Sequence, residues 1–184
     1  MQAVHKKFIH DLMAELLGLP PSRLVWSGEN GVRPLLPHAT IRIYNDAPAA
    51  AEAITPSGTP GVLRVRIPYE CRVEIQYFGR FDSDPCEILA GMVHKLRFDS
   101  VADRCFSQGV AFFGHDGIGD ISTVLDDLAY ERRAAVDLQV RYDRSDDDHV
   151  GYIDTVNMEN KITGEIANGE IPGNVTIGGS NGKY

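Results

Sequence analysis

The sequence runs to 184 residues, 24% charged and 43% hydrophobic, proportions that exclude wholesale disorder and allow one good core. A net charge of -8 and a pI near 5.2 argue against a phosphate-gripping surface, which needs clustered Lys and Arg. No apolar run approaches the roughly 20 residues of a membrane helix, and "MQAVHKKFIHDLMAELLGLP" mixes charge with hydrophobe where a signal peptide has an apolar stretch, so the expectation is a protein kept in a cytoplasm.

The first predicted element is a helix from about Ala3 to Leu17, on which Val4, Phe8, Ile9, Leu12, Met13, Leu16 and Leu17 form an apolar stripe; Gly18, Pro20 and Pro21 stop it. "RLVW" is a short extended piece, Asn30-Gly31 a turn, and Ala39 to Tyr44 a strand approached through Pro34 and Pro37. Asn45 to Gly61 has no strong period and three prolines, which predicts a long excursion loop. "VLRVRIP" and "CRVEIQYFG" read as two strands of a hairpin joined at Tyr69-Glu70.

"DSDPCEILAGMVHKLRF" predicts a helix. Asp84 is its N-cap, Pro85 opens the first turn, Glu87 completes a capping-box pattern, and Ile88, Leu89, Met92, Val93 and Leu96 make the stripe. His94 sits on its polar face. A short helix from Ser100 to Ser107 ends at Gly109, "VAFFG" is a short buried strand, and "GDISTVLDD" is a turn with one helical turn capped by Asp120. In "ERRAAVDLQVRYD" the period is two: Ala134, Val136, Leu138, Val140 and Tyr142 face a core, while Arg133, Asp137, Gln139 and Arg141 form a charged face. The acidic stretch "DRSDDDH" is expected as a loop, and "VGYIDTVNM" as a last strand. The tail "TGEIANGEIPGNVTIGGSNGKY" has six glycines and too few hydrophobes to fold alone, which makes residues 163–184 an arm expected to dock on another chain through Ile166, Ile171, Val175 and Ile177.

The fold class expected from these elements is α/β (α+β): one domain over residues 1–162, mainly antiparallel, with two main helices on the apolar face, followed by the arm at 163–184.

Few motifs suggest chemistry. Cys71, Cys86 and Cys105 are an odd count without a C-x-x-C pair; Cys71 is in phase with Val73, Ile75 and Tyr77, so the thiols read as small hydrophobes. Asp143, Ser145, Asp147 and Asp154 fall at positions 1, 3, 5 and 12 of a calcium loop, but Asp148 stands where the sharp turn wants Gly, and a solvated acidic turn is the reading. His115, Asp116 and Asp120 could form a metal or general-base cluster, yet "FGHDGIGD" matches no phosphate or dinucleotide loop and reads as a turn. No catalytic residue, metal or cofactor is expected; a small metal-dependent enzyme using that cluster is the weaker alternative.

The order of these elements, with "RPLLPHATIRIY", "RVEIQYFG", "LAGMVHKL", "CFSQGVAFFG", "DISTVLDDLAYERRAAVDLQVRY" and "YIDTVNM", resembles the phage neck and tail-terminator family over about residues 4 to 158. In that family a Pro-rich approach precedes an early strand, an "ERR" segment leads into a long strand, and the final strand often pairs an Ile with an acidic residue. The resemblance implies a virion protein that forms a ring, commonly of six, capping the tail tube. Implied partners are the tube protein, a sheath protein if the tail contracts, and head-tail connector or neck proteins, with DNA passing through the lumen without specific binding. It also implies that Arg133, Asp137, Gln139 and Arg141 belong to the subunit interface or the lumen. A head-side connector is the alternative within the same class.

Overall fold

Helix α1, Ala3–Leu16, forms because its stripe can be buried: Ile9, Leu12, Met13, Ala14 and Leu16 are inside, and Gly18, at φ +66°, takes the left-handed turn that ends it. The structure, a computed structural model, describes residues 1–29, 32–125, 129–151, 154–156 and 177–179. By density of contacts the chain divides into two units, one of Met1–Glu52 with Ile67–Arg144, the other of Ala53–Arg66 with Ser145–Tyr184.

In the first unit a turn of 3-10 helix at Pro21–Arg23 leads into β1, Leu24–Trp26, which lies parallel to β2, His38–Pro48. The expected turn at Asn30-Gly31 lies outside the described residues. Beyond a short strand β3, Ala53–Pro56, the chain forms β4, Val62–Phe78, and then α2, Pro85–Lys95, and α3, Asp99–Ser107. Asp84 caps α2 as its sequence predicts, with Oδ1 accepting from the amides of Cys86 and Glu87. Next come β5, Val110–His115, β6, Gly119–Asp120, β7, Thr123–Leu125, β8, Ala129–Glu131, and β9, Arg133–His149. The strand order is β1-β2-β4-β9-β5, with β6 alongside β9 and β7–β8 a separate hairpin. The β1–β2 pair is parallel, while β2–β4, β3–β4, β5–β9 and β6–β9 are antiparallel, so the sheet is mixed but mainly antiparallel.

The core lies on one face of this sheet. Ala134, Val136, Leu138, Val140 and Tyr142 of β9 join Cys71, Val73, Ile75 and Tyr77 of β4 and Ala39 and Ile41 of β2, all buried, beneath Leu12 and Met13 of α1, Leu89 and Met92 of α2, and Val101 and Cys105 of α3. All three helices therefore serve one face. All three cysteines are free, and burial pushes the Cys71 thiol up to about 12, as befits a small hydrophobe.

Within the second unit β3 pairs with the start of β4, from Ala53↔Arg66 to Pro56↔Leu63, Arg64 forks onto both carboxylate oxygens of Asp147 at 2.8 and 3.2 Å, and the Val150 amide donates to the Gly61 carbonyl. Strand β10, Asp154–Val156, pairs with β11, Ile177–Gly179.

Four sequence expectations are corrected. The 45–61 stretch is not a loop throughout, since β2 runs on to Pro48 and β3 occupies Ala53–Pro56. The hairpin at Tyr69-Glu70 does not exist: β4 is continuous there because Glu70 and Tyr69 pair with Ala47 and Pro48 beyond a bulge in β2. The acidic stretch belongs to strand β9, where Asp147 finds Arg64. Asp120 starts no helix; its Oδ1 accepts from the Ser122 amide in a local turn, and β7 follows.

Candidate assembly surface

The candidate site is the sheet face that receives no helix among the described residues. Alternation along each strand places Thr40, Arg42 and Tyr44 of β2, Glu70, Arg72, Glu74 and Gln76 of β4, and Arg133, Asp137, Gln139 and Arg141 of β9 opposite the core. Register brings opposite characters together, with Arg42 across from Glu74 and Tyr44 across from Arg72. Arg141 Nε donates to Glu70 at 3.0 Å, and its guanidinium lies 5.4 Å from the centre of the Phe113 ring. Phe113 reaches this face because a bulge in β5, between Phe112 and Gly114, inserts it as the extra residue.

Asp116 gathers the middle of the face. Its carboxylate takes hydrogen bonds from Arg72 and, at 3.5 Å, from Gln139 Nε2, while its amide donates to the Asp137 carbonyl at 2.8 Å. The Asp137 carboxylate, acting as a nearby acceptor, raises the Tyr44 pKa more than burial does. Asn45, Glu70, Cys71, Arg72, Phe113 and Gln139 surround a shallow depression of about 190 Å³. Four arginines (42, 72, 133, 141) stand against four carboxylates (70, 74, 116, 137), so the face is neutral on a chain of charge -8. Exposed pairs of this kind contribute about 0–1 kcal/mol each. Their larger effect is that two such faces, or this face and another protein, meet without net repulsion.

At the Phe78 end the arrangement is tighter. His38 stacks on Phe78 at 4.5 Å with the planes 5° apart, while the guanidiniums of Arg33 and Arg133 lie 5.2 and 5.5 Å from the same ring's centre. Both arginines pair with buried Glu131, Arg133 through Nε at 3.7 Å. Desolvation first, and Arg33 second, lower the His38 pKa to about 4.

The structure thus brings Arg133, Asp137, Gln139 and Arg141 together on one face. Of the expected arm anchors, Ile166, Ile171 and Val175 lie outside the described residues, and Ile177 begins β11, paired with Val156 of its own chain. His115, Asp116 and Asp120 do not converge: His115 Nδ1 meets the Asp116 carbonyl at 2.8 Å, Asp116 holds Arg72, and Asp120 holds the Ser122 amide. Among the described residues no group of three or more His, Cys, Asp or Glu is placed to hold a metal ion. Sequence reasoning missed Glu70, Tyr44 and Phe113. Glu70 was legible in the period of two that runs unbroken from Arg66 to Gln76; the bulge that turns Phe113 outward leaves no comparable sign.

A family model described as phage neck terminator protein matches residues 4–165. The chain belongs to that family. The match takes in α1 from its second residue, α2, α3 and both long strands. Membership in the neck terminator family makes this a structural phage neck protein, and no helix among its described residues is long and apolar enough to cross a membrane. No match was found among curated proteins.

Proposed function

We propose that this chain is the tail terminator of its phage, a subunit that closes into a ring of six at the head-proximal end of the tail, caps the tail tube and presents its other side to the head connector or neck proteins. The observation that carries the reading is the neutral sheet face of a neck terminator family member, free of helices among the described residues, on which Asp116 engages Gln139 and the Asp137 carbonyl, Glu70 engages Arg141 and Glu131 engages Arg133. Cyclic closure sets one face of each subunit against a different face of the next. Binding free energy then comes from modest contacts repeated around the ring, and no turnover is involved. A sheath protein is a further partner if the tail contracts. DNA slides through the lumen without being gripped, which suits an acidic chain.

Removing the gene and imaging the lysate tests this. The expected result is filled heads apart from unjoined tails of irregular length. Joined, full-length virions would sink the reading, and heads leaking DNA beside normally capped tails would favour a head-side connector. We also propose that residues 163–184 act as an arm on a neighbouring subunit, anchored by Ile166, Ile171, Val175 and Ile177. Truncation after Ile162 is expected to leave the melting temperature of the first unit in place and to weaken assembly; normal assembly of the truncated chain would remove the arm from the account.

A further inference from the structure

One end of the first unit collects exposed apolar groups around a basic pocket. The last register pair of β2 and β4 at this end is His38↔Phe78, so the approach Leu35-Leu36-Pro37 and the exit Gly79-Arg80-Phe81 leave the sheet side by side. Pro37 and Arg80 line one pocket of about 420 Å³ with Arg23, Tyr77, Asp82 and Ser83. The loop that carries Arg80 is held at both ends: Arg132 donates to the Ser83 carbonyl at 2.6 Å, and its own carbonyl accepts from the Gly79 amide at 2.9 Å. Among the described residues the guanidiniums of Arg23 and Arg80 have no ion-pair or hydrogen-bond partner. Two guanidiniums against the single Asp82 leave a net positive charge, enough for one further carboxylate. Leu35 and Phe81, beside the pocket along the chain, are 79% and 83% exposed. Unpaired arginine next to exposed apolar and aromatic groups is the composition of a protein interface. The complement lies at the far side of the same strand order. Helix α3 packs on the end strand β5, whereas Arg23 leads directly into the opposite end strand β1. Asp99, Asp103 and Phe106 follow each other along α3 at steps of four and three residues, which makes one exposed stripe. Neither carboxylate has a partner among the described residues, and the adjacent Arg104 is occupied by both oxygens of Glu15 at 2.8 Å.

We propose that α3 of one subunit docks on the Arg23/Arg80 pocket of the next copy of the chain, Asp103 seating between the two guanidiniums and Phe106 covering Phe81 and Leu35. The Asp103–Phe106 pair, one turn of helix apart, answers the neighbouring Arg80 and Phe81 in both charge and apolar character, whereas two pockets or two acidic stripes would repel. A nucleic-acid backbone in the same place would meet Asp82 and leave Leu35 and Phe81 uncovered. Within one subunit the two surfaces belong to opposite ends of the strand order, so the contact is head-to-tail and passes from copy to copy around a ring. The proposal rests on the reading of the chain as a ring-forming subunit and names the contact that closes it.

Sedimentation of the full chain across a concentration series tests the contact, with four samples: the unaltered chain, Arg80→Glu, Asp103→Arg, and an equal mixture of the two variants. Both positions are exposed and without a partner among the described residues, so melting temperatures of dilute samples should match. The expected result is association of the unaltered chain, weakened at least about tenfold in each variant alone. The mixture should recover it, because every contact between unlike chains again joins opposite charges, and recovery also shows that both variants fold. Association untouched by either variant, variants that stay apart when mixed, or an unaltered chain that remains monomeric up to its solubility limit would each overturn the contact. Association that appears only when tail tube protein is added, and is lost in Arg80→Glu, would also overturn it and assign the pocket to that partner. The ring reading is judged separately by the lysate images, which do not depend on which surfaces meet.

Discussion

Leu138→Ala lowers stability by about 3 kcal/mol, within the 2–5 kcal/mol typical of a buried Leu truncated to Ala, and by on the order of 10 °C in melting temperature for a chain of this size. Leu138 is 1% exposed, in the middle of the β9 row that all three helices cover. It also borders a surface depression of about 260 Å³ with Val93, Leu96 and Phe112. Truncation therefore deepens an existing hollow under α2 as well as removing buried methyl groups, and stiff neighbours on the sheet cannot collapse fully into the space. Leu138→Met keeps most of the volume and should cost under about 1.5 kcal/mol. Phe106→Ala, at a ring 86% exposed, is the control and should stay within about 0.5 kcal/mol. Thermal melts of the three variants check the assignment, and an unchanged melting temperature for Leu138→Ala would mean that the face is not the core.

Acid destabilises the fold through His38 before it reaches the carboxylates. The imidazole is 2% exposed, stacked on Phe78, and its Nδ1 is buried without a partner. Its pKa is near 4 in the fold, from desolvation and then Arg33, against about 6.5 in the unfolded chain. Below pH 6.5 the unfolded chain takes up a proton that the folded chain refuses, so stability declines as pH falls from about 6.5 to about 4 and levels off beneath that. The limiting slope is about 1.4 kcal/mol per pH unit and the total on the order of 3 kcal/mol. His5, buried against Tyr142, has a pKa lowered chiefly by desolvation and adds to the same trend. The carboxylates of Asp11, Glu15, Asp120 and Asp147 are shifted downward and act at lower pH. Denaturant melts at pH 7, 6, 5 and 4 on the unaltered chain and on His38→Gln test the claim. The difference between the two curves should grow toward neutral pH, and parallel curves would show that His38 titrates normally.

The parts of the fold legible in the sequence are those whose pattern is enforced locally. The alternation Ala134 to Tyr142 and the Asp84 cap with its following stripe each describe an element that looks the same in isolation as in the protein. The misread parts are those where a distant partner decides. Pro68-Tyr69-Glu70 has the composition of a turn, yet the Pro68 carbonyl accepts from the Ala49 amide at 2.8 Å and Glu70 meets Arg141, which keeps β4 extended. Residues 143–148 look like a solvated acidic loop until Arg64 is placed beside Asp147. On the candidate assembly surface, the charged alternation of β9 is readable in the sequence, but the residues that organise the face, Asp116 and Glu70, lie in stretches whose composition suggests turns.

The same long-range pairing has a consequence for synthesis. Glu70 meets Arg141 across 71 residues and Arg64 meets Asp147 across 83, so central strand β4 has no β9 neighbour until most of the chain has been made. At roughly 5–20 residues per second that is several seconds of translation, during which β2 and β4 can pair but leave an edge open. Contacts of such separation also slow folding after release, because chain closure must precede the reward of pairing. The nascent chain therefore spends its early life with an unprotected strand edge, and that interval is when chaperone engagement or aggregation with other nascent copies would compete with folding.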